Sequence, residues 1–96
     1  MPKILLYISA KITWIFTFLP FDVNENRAHV HVGRKATENL CKIWLEPNIS
    51  IAKDGSLTTA ELNQVLKITK ENHTQLLNQW KKFKKGEMIN TITIKK

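Results

Sequence analysis

The fold is decided by the stretch Asn24-Glu-Asn-Arg-Ala-His-Val-His-Val-Gly33, in which polar and apolar side chains alternate. Successive side chains of a β-strand point to opposite faces of the sheet. We therefore predict a strand from Ala28 to Val32 whose alanine and valines share one face. His29 and His31 share the other face, which we expect to be open and to lie away from the main helix.

A second stretch, Glu38 to Leu45, predicts the antiparallel partner of this strand. With a turn from Arg34 to Thr37 between the two strands, Val30 opposes Cys41 and the apolar side chains of both strands meet on one face. A slip of one residue would turn that apolar face toward solvent. We therefore expect burial of the apolar face to hold this register.

Further strands are predicted on both sides of this pair. Two strands at Ile4–Ile8 and Ile12–Leu19 come first, and a loop from Pro20 to Arg27 follows them. A short strand around Ile49–Ile51 is predicted before the turn at Asp54-Gly-Ser56. The alternating segment Ile89–Ile94 predicts a final strand, or an arm that pairs with a partner.

One long helix is predicted between Thr58 and Gly86. Thr58 and Glu61 have the spacing of a capping box, and Gly86 follows Lys84 and Lys85 as a stop signal. Apolar side chains recur at helical spacing between these ends, as one stripe that we expect to face the sheet. Its members are Leu62, Leu66, Thr69, His73, Leu76, Trp80 and Phe83.

These elements predict an α+β fold, a small, twisted, mainly antiparallel sheet with one long C-terminal α-helix packed on one face. With 96 residues, of which 43% are hydrophobic, the chain is expected to form a single domain over residues 1–96. Cys41 is the single cysteine, which excludes an internal disulfide and fits a reducing compartment. Beside Leu40 and Ile43 it is expected to be a small buried side chain without a chemical role.

The apolar run from Ile4 to Phe21 is not expected to cross a membrane. Lys11 lies near its middle, where a charge costs about 2.5–3.5 kcal/mol on insertion scales. Trp, Phe, Ile and Thr in alternation are typical of strands. We therefore predict a cytoplasmic protein that has no membrane partner.

The net charge of +7 is concentrated toward the C terminus. Residues 62–96 hold eight lysines against Glu71 and Glu87, a balance of +6. Such a cluster attracts nucleic acid, an acidic protein or anionic lipid, and charge alone does not choose among them. A solvated helix face and tail is the alternative interpretation.

Several segments together give the chain a resemblance to a known family. They are Met1-Pro-Lys-Ile4, Ala28-His-Val-His-Val32, Leu40-Cys-Lys-Ile-Trp-Leu-Glu-Pro47, and the helical residues Glu61–Asn72 and Leu76–Trp80. In this order and spacing they resemble the domain of unknown function 4160 family. The resemblance implies a small bacterial protein, often encoded beside a partner of the domain of unknown function 2442 family. Such a pair is regarded as a toxin and antitoxin module.

The histidine face suggests three kinds of chemistry. His29 and His31 could ligate one metal ion, but zinc prefers three or four protein ligands, and neither His73 nor Cys41 is expected on that face. We therefore predict no metal and no cofactor. His29 and His31 could instead act as catalytic acid and base in metal-independent cleavage of RNA. No nucleophile or phosphate-binding loop accompanies them, so whether the chain is an enzyme stays open.

The leading hypothesis is binding rather than catalysis. The chain is predicted to act as a component of a toxin–antitoxin-like module that binds a protein partner of the domain of unknown function 2442 family, and also nucleic acid, RNA or DNA. The alternative is a ribonuclease using the histidine pair, and a metal-binding regulator comes third. The residues assigned to partner or nucleic-acid binding are Arg27, Arg34, Lys42, Trp44, Lys81, Lys82, Lys84 and Lys85.

Overall fold

A computed structural model describes residues 3–34 and 40–96. These residues form a six-stranded sheet, two α-helices and one 3₁₀ turn. In chain order the elements are β1 (Lys3–Ile8), β2 (Thr13–Thr17), the 3₁₀ turn (Pro20–Asn24), β3 (His29–Gly33), β4 (Cys41–Trp44), β5 (Ser50–Lys53), α1 (Thr59–Glu71), α2 (His73–Lys84) and β6 (Ile92–Lys95). The strand order across the sheet is β5-β4-β3-β2-β1-β6.

The predicted α+β fold class is confirmed, because the described sheet is mainly antiparallel and the helices follow its first five strands in sequence. Consecutive strands from β1 to β5 pair antiparallel, whereas β6 pairs parallel to β1. The short strand expected around Ile49–Ile51 is β5, and the alternating C-terminal segment becomes β6 at the edge of its own sheet. No helix in the described part of the chain has the length and apolar character needed to cross a bilayer.

The register predicted between β3 and β4 is wrong by two residues. The structure pairs Val30 with Ile43 and His31 with Lys42, whereas the prediction paired Val30 with Cys41. A shift of two residues preserves the face of every side chain, so alternation alone does not detect it. Except for Arg34, the predicted turn lies outside the described residues, as do the first two residues of the predicted strand.

The prediction of one long helix is also wrong, because Asn72 separates α1 from α2. Asn72 has φ −118° and ψ 24°, outside the helical region. Its side-chain Nδ2 donates to Ile68 O at 2.8 Å, and its backbone N–H donates to Ile68 O at 3.1 Å and to Thr69 O at 3.2 Å. An asparagine side chain that competes for backbone groups in this way ends a helix. The start of α1 follows prediction, with the capping box between Thr58 and Glu61 present.

The core lies between the sheet and the inward faces of the two helices. Trp14, Phe16, Val65 and Leu76 are fully buried within it. The predicted helical stripe is only partly right. Its members Leu62 and Leu66 are half-exposed, whereas Val65 and Ile68, which were not in the stripe, are buried. Buried Gln79 ties α2 to the sheet by donating from Nε2 to the carbonyls of Ile4 at 3.2 Å and Asn90 at 2.7 Å.

Candidate functional site, a buried His–Asp–His cluster beside a basic surface

The histidine face of β3 is covered by the 3₁₀ turn. Proline at the start of the turn presets the backbone angle that the turn needs. The Asp22 carboxylate then closes the turn, because Leu19 N–H donates to its Oδ2 at 2.7 Å. On the far side, Lys84 Nζ donates to the carbonyls of Val23 and Glu25, so the end of α2 holds the segment in place.

Asp22 lies between the two histidines of β3. His29 Nε2 is 3.1 Å from Asp22 Oδ1, and His31 Nε2 is 3.0 Å from Asp22 Oδ2. His29 and Asp22 are fully buried, and His31 is 8% exposed. We call Asp22, His29 and His31 the His–Asp–His cluster.

The prediction of an open histidine face is therefore wrong. Strand alternation places the imidazoles on one face correctly, but it carries no information about a loop that folds back over that face. His29 is not remote from the helices either, since its ring centroid is 5.0 Å from that of Trp80 on α2. With both imidazoles buried, the structure lends no support to their acting directly on RNA as acid and base.

The hydrogen bonding of His29 defines the tautomer of its neutral ring. Its Nδ1 is 2.9 Å from the carbonyl oxygen of Arg27, which only accepts, so Nδ1 carries a proton and donates it. Glu25 Oε2 lies 3.5 Å from the same nitrogen. In the neutral ring the lone pair is then on Nε2, the atom that faces Asp22.

The contacts inside the cluster are close, but they leave three buried polar atoms without a well-formed hydrogen bond. Asp22 Oδ1, His29 Nε2 and His31 Nε2 are buried and have no hydrogen-bond partner among the described residues. Burial lowers the pKa of His31 because desolvation disfavours the imidazolium form, and the Asp22 carboxylate opposes this effect. His29 and Lys42 add to the lowering through charge repulsion.

A second feature borders this cluster on the β3–β4 surface. The indole of Trp44 has Arg27 Cζ at 4.1 Å and Lys42 Nζ at 4.5 Å from its ring centroid. Arg27 Nε donates to Glu46 O at 2.8 Å, and Lys42 Nζ is 3.4 Å from Glu25 Oε2. We call Arg27, Lys42 and Trp44 the basic aromatic surface.

The C-terminal lysines reach this surface through Lys84. Glu25 links them, because its carbonyl accepts from Lys84 while its carboxylate approaches Lys42. Lys81, Lys82 and Lys85 are exposed on the same end of α2. Lys84 thereby lies beside Glu25, which approaches Lys42 of the basic aromatic surface, and it is engaged in holding the 3₁₀ turn.

Arg34 does not join the other predicted binding residues. It follows the opposite end of β3 from Arg27, where its guanidinium pairs with the carboxylate of Glu61 on α1. Its Cζ is 5.9 Å from the ring centroid of Trp14. This places Arg34 beside the start of α1 and away from the basic aromatic surface.

The remaining nucleophilic or ligating side chains have structural surroundings. His73 Nε2 lies 2.7 Å from Leu45 O, so this half-buried histidine anchors the first turn of α2 to the chain after β4. Cys41 is buried, and that burial raises the pKa of its thiol to about 12, with a further contribution from Asp54. Neither side chain belongs to the His–Asp–His cluster.

Asp22 is the functional residue that sequence reasoning missed. It lies in the segment Pro20–Arg27 that the sequence predicts as a loop, and no periodicity connects it to β3. The usable signal is an acidic residue shortly before His-x-His, in a loop bounded by proline and therefore able to turn back on the strand. With Asp22 included, the histidine face holds three groups of the kinds that ligate metal ions.

Comparison with known proteins identifies a family but no characterised relative. The family model described as Domain of unknown function (DUF4160) matches residues 13–81. No curated protein and no solved structure matches the chain. The matched region includes the His–Asp–His cluster and the basic aromatic surface, and it excludes β1 and β6.

Proposed function

This chain belongs to the domain of unknown function 4160 family, and we propose that it is a cytoplasmic component of a bacterial toxin–antitoxin-like module that acts by binding its partner protein. The module and its partner, a small protein of the domain of unknown function 2442 family, come from the sequence resemblance. The observation that supports a binding role is the basic aromatic surface.

This surface has the composition of an interaction site. Tryptophan and arginine are the side chains most enriched among residues that dominate binding energy. Arg27 is exposed and is anchored through Nε, which leaves the rest of its guanidinium fork to pair with a carboxylate. The contacts of Arg27 and Lys42 with Trp44 restrict both cations before a partner arrives, so less side-chain freedom is lost on binding.

Charge extends the surface toward the end of α2. Lys81, Lys82 and Lys85 are exposed there, next to the segment held by Lys84. Positive charge at these positions speeds association with a negatively charged partner and makes the association rate dependent on salt. We therefore infer that the partner presents an acidic patch, with one or more carboxylates placed to meet Arg27.

The proposal is tested by measuring binding to the neighbouring-gene protein by calorimetry. Arg27→Gln and Lys42→Gln each remove one cation without a large change in volume, and each is expected to weaken binding at least tenfold. The double variant Lys3→Gln/Lys95→Gln removes two exposed charges on β1 and β6, at the far edge of the sheet, and serves as the matched control. The control is expected to bind as the wild type does.

Three outcomes contradict the proposal. One is the absence of a complex with the neighbouring protein, and another is equal weakening by the control variant. The third is that the chain binds RNA or DNA but not the neighbouring protein, and that the logarithm of this affinity falls linearly with the logarithm of the salt concentration. That third result would assign the same surface to nucleic acid.

A further inference from the structure

We propose that the His–Asp–His cluster is a binding site for a divalent transition metal, Zn²⁺, with Nε2 of His29, Nε2 of His31 and the carboxylate of Asp22 as its protein ligands. This inference concerns the buried cluster and is independent of the basic aromatic surface. A metal would join the 3₁₀ turn to β3 through bonds that the protein alone does not make.

The ligand atoms are already close together. All three lie within 4.8 Å of one another, and the two nitrogen-to-oxygen distances are 3.1 Å and 3.0 Å. Ligands bound tetrahedrally to zinc at about 2.0–2.1 Å are about 3.3 Å apart. The approach of each imidazole to the carboxylate therefore differs from that of a zinc site by a few tenths of an ångström.

The tautomer of His29 favours a cation between its ring and Asp22. Because Nδ1 donates its proton to Arg27 O, the neutral ring directs a lone pair from Nε2 toward the carboxylate. Two groups that carry lone pairs repel each other at 3.1 Å unless a positive charge lies between them. Metal-binding histidines commonly donate their second ring N–H to a backbone carbonyl, as His29 does here.

The unpaired atoms point to the same conclusion. Asp22 Oδ1 and both histidine Nε2 atoms are buried without hydrogen-bond partners in the described parts of the chain. Buried polar groups are nearly always paired, so three unpaired atoms at one place require an explanation. One metal ion bound by all three would satisfy them together.

The ligand set selects the kind of metal. Two imidazoles and one carboxylate suit zinc and its neighbours in the first transition series, whereas calcium and magnesium prefer oxygen ligands throughout. The cluster meets solvent at His31, whose side chain is 10% exposed, while that of Asp22 is 1% exposed. A water molecule entering beside His31 would supply the fourth ligand.

A proton is the alternative to a metal. His29 could be doubly protonated and form an ion pair with Asp22, with no affinity for zinc beyond that of surface groups. Zinc titration separates the two cases. A metal site binds one equivalent of zinc tightly, and that binding depends on Asp22, His29 and His31.

The experiment uses the untagged chain after dialysis against EDTA and titrates it with zinc chloride by calorimetry. The wild type is expected to bind one equivalent with a Kd below about 1 µM. Asp22→Asn and His31→Gln remove one ligand each and are expected to weaken binding at least 100-fold. Their matched controls, Asp54→Asn in an exposed turn and His73→Gln outside the cluster, are expected to bind as the wild type does.

A measurement on the wild type keeps the test valid if a cluster variant fails to fold. In two-dimensional NMR spectra of the imidazole nitrogens, one equivalent of zinc should shift the Nε2 resonances of His29 and His31 and leave His73 unchanged. The proposal is overturned if no stoichiometric binding occurs, if the His73 resonance shifts instead, or if the control variants weaken binding as much as the cluster variants do.

Discussion

Replacement of Asp22 by alanine should destabilise the metal-free protein strongly. The carboxylate is buried, accepts the Leu19 N–H at 2.7 Å, and lies 3.1 Å and 3.0 Å from the two histidines. The substitution leaves the Leu19 N–H without its acceptor and removes the side chain that lies between the two imidazoles. A hydrogen bond to a charged acceptor typically contributes about 1.5–3 kcal/mol. We expect the free energy of unfolding to fall by about this amount.

The assay is urea denaturation followed by circular dichroism at pH 7 in EDTA, so that no metal contributes. A domain of this size loses about 4–8 °C in Tm per kcal/mol, so the melting temperature should fall by more than about 6 °C. Asp54→Ala, at an exposed carboxylate, is the matched control and should change little.

The reasoning about the cluster would be refuted by an Asp22→Ala variant whose free energy of unfolding lies within about 1 kcal/mol of that of the wild type, because the 3₁₀ turn over the histidines would then not depend on the carboxylate. Asp22→Asn refines the result. Its amide oxygen can still accept from Leu19 N–H, so any loss it shows beyond that of the control reports on the contacts with His29 and His31.

Four other outcomes are expected. Cys41 should resist alkylation at pH 8 in the folded protein, because it is buried and its thiol has a pKa of about 12. It should react once urea unfolds the chain. Rapid stoichiometric labelling of the native protein would contradict this expectation. Thr58→Ala should cost about 1 kcal/mol in urea denaturation at pH 7 by removing the helix cap. The hydrogen bond from the Thr58 N–H lowers the pKa of Glu61. The stability that Glu61 contributes is therefore present above its ordinary pKa of 4.5 and is lost as pH falls through the lowered pKa. A Glu61→Gln variant whose free energy of unfolding falls as much at pH 3 as at pH 7 would contradict this. Gln79→Leu should cost about 1–3 kcal/mol and speed amide exchange in β6, because it removes the donor to the buried carbonyl of Ile4 and to the carbonyl of Asn90 just before β6, whereas the exposed Gln75→Leu should do neither.

The parts of the fold that sequence reasoning predicted correctly depend on local signals. The capping box needs only Thr58 and Glu61 at their fixed spacing, and the structure contains it. Strand alternation requires only neighbouring residues, so it identified β3 and the shared face of its histidines. It also left the register with β4 uncertain by two residues, since that depends on the connection between the strands.

The parts that were missed depend on interactions between distant segments or on one residue within a regular pattern. Asn72 interrupts a stripe that is otherwise continuous at helical spacing, and the break follows from its side-chain hydrogen bond to Ile68 O. Burial of the histidines follows from a loop that carries Asp22 back over β3. Neither event changes the hydrophobic periodicity on which the predictions rested.

The candidate site shows the same division. Arg27, Lys42 and Trp44 were among the predicted binding residues, and the structure brings them together around the indole ring. Arg34 was included because of its charge alone, and its pairing with Glu61 places it elsewhere. Charge identifies candidates for a binding surface, whereas only the fold determines which of them are neighbours.

The position of β6 has a consequence for the chain during its synthesis. β1 leaves the ribosome before the helices, and the strand that covers its outer edge leaves after them. Until then the nascent protein presents the unpaired N–H and C=O groups of β1 as a template on which another unfinished chain could pair. A stalled or prematurely terminated product that lacks β6 is therefore expected to aggregate even when its core has formed.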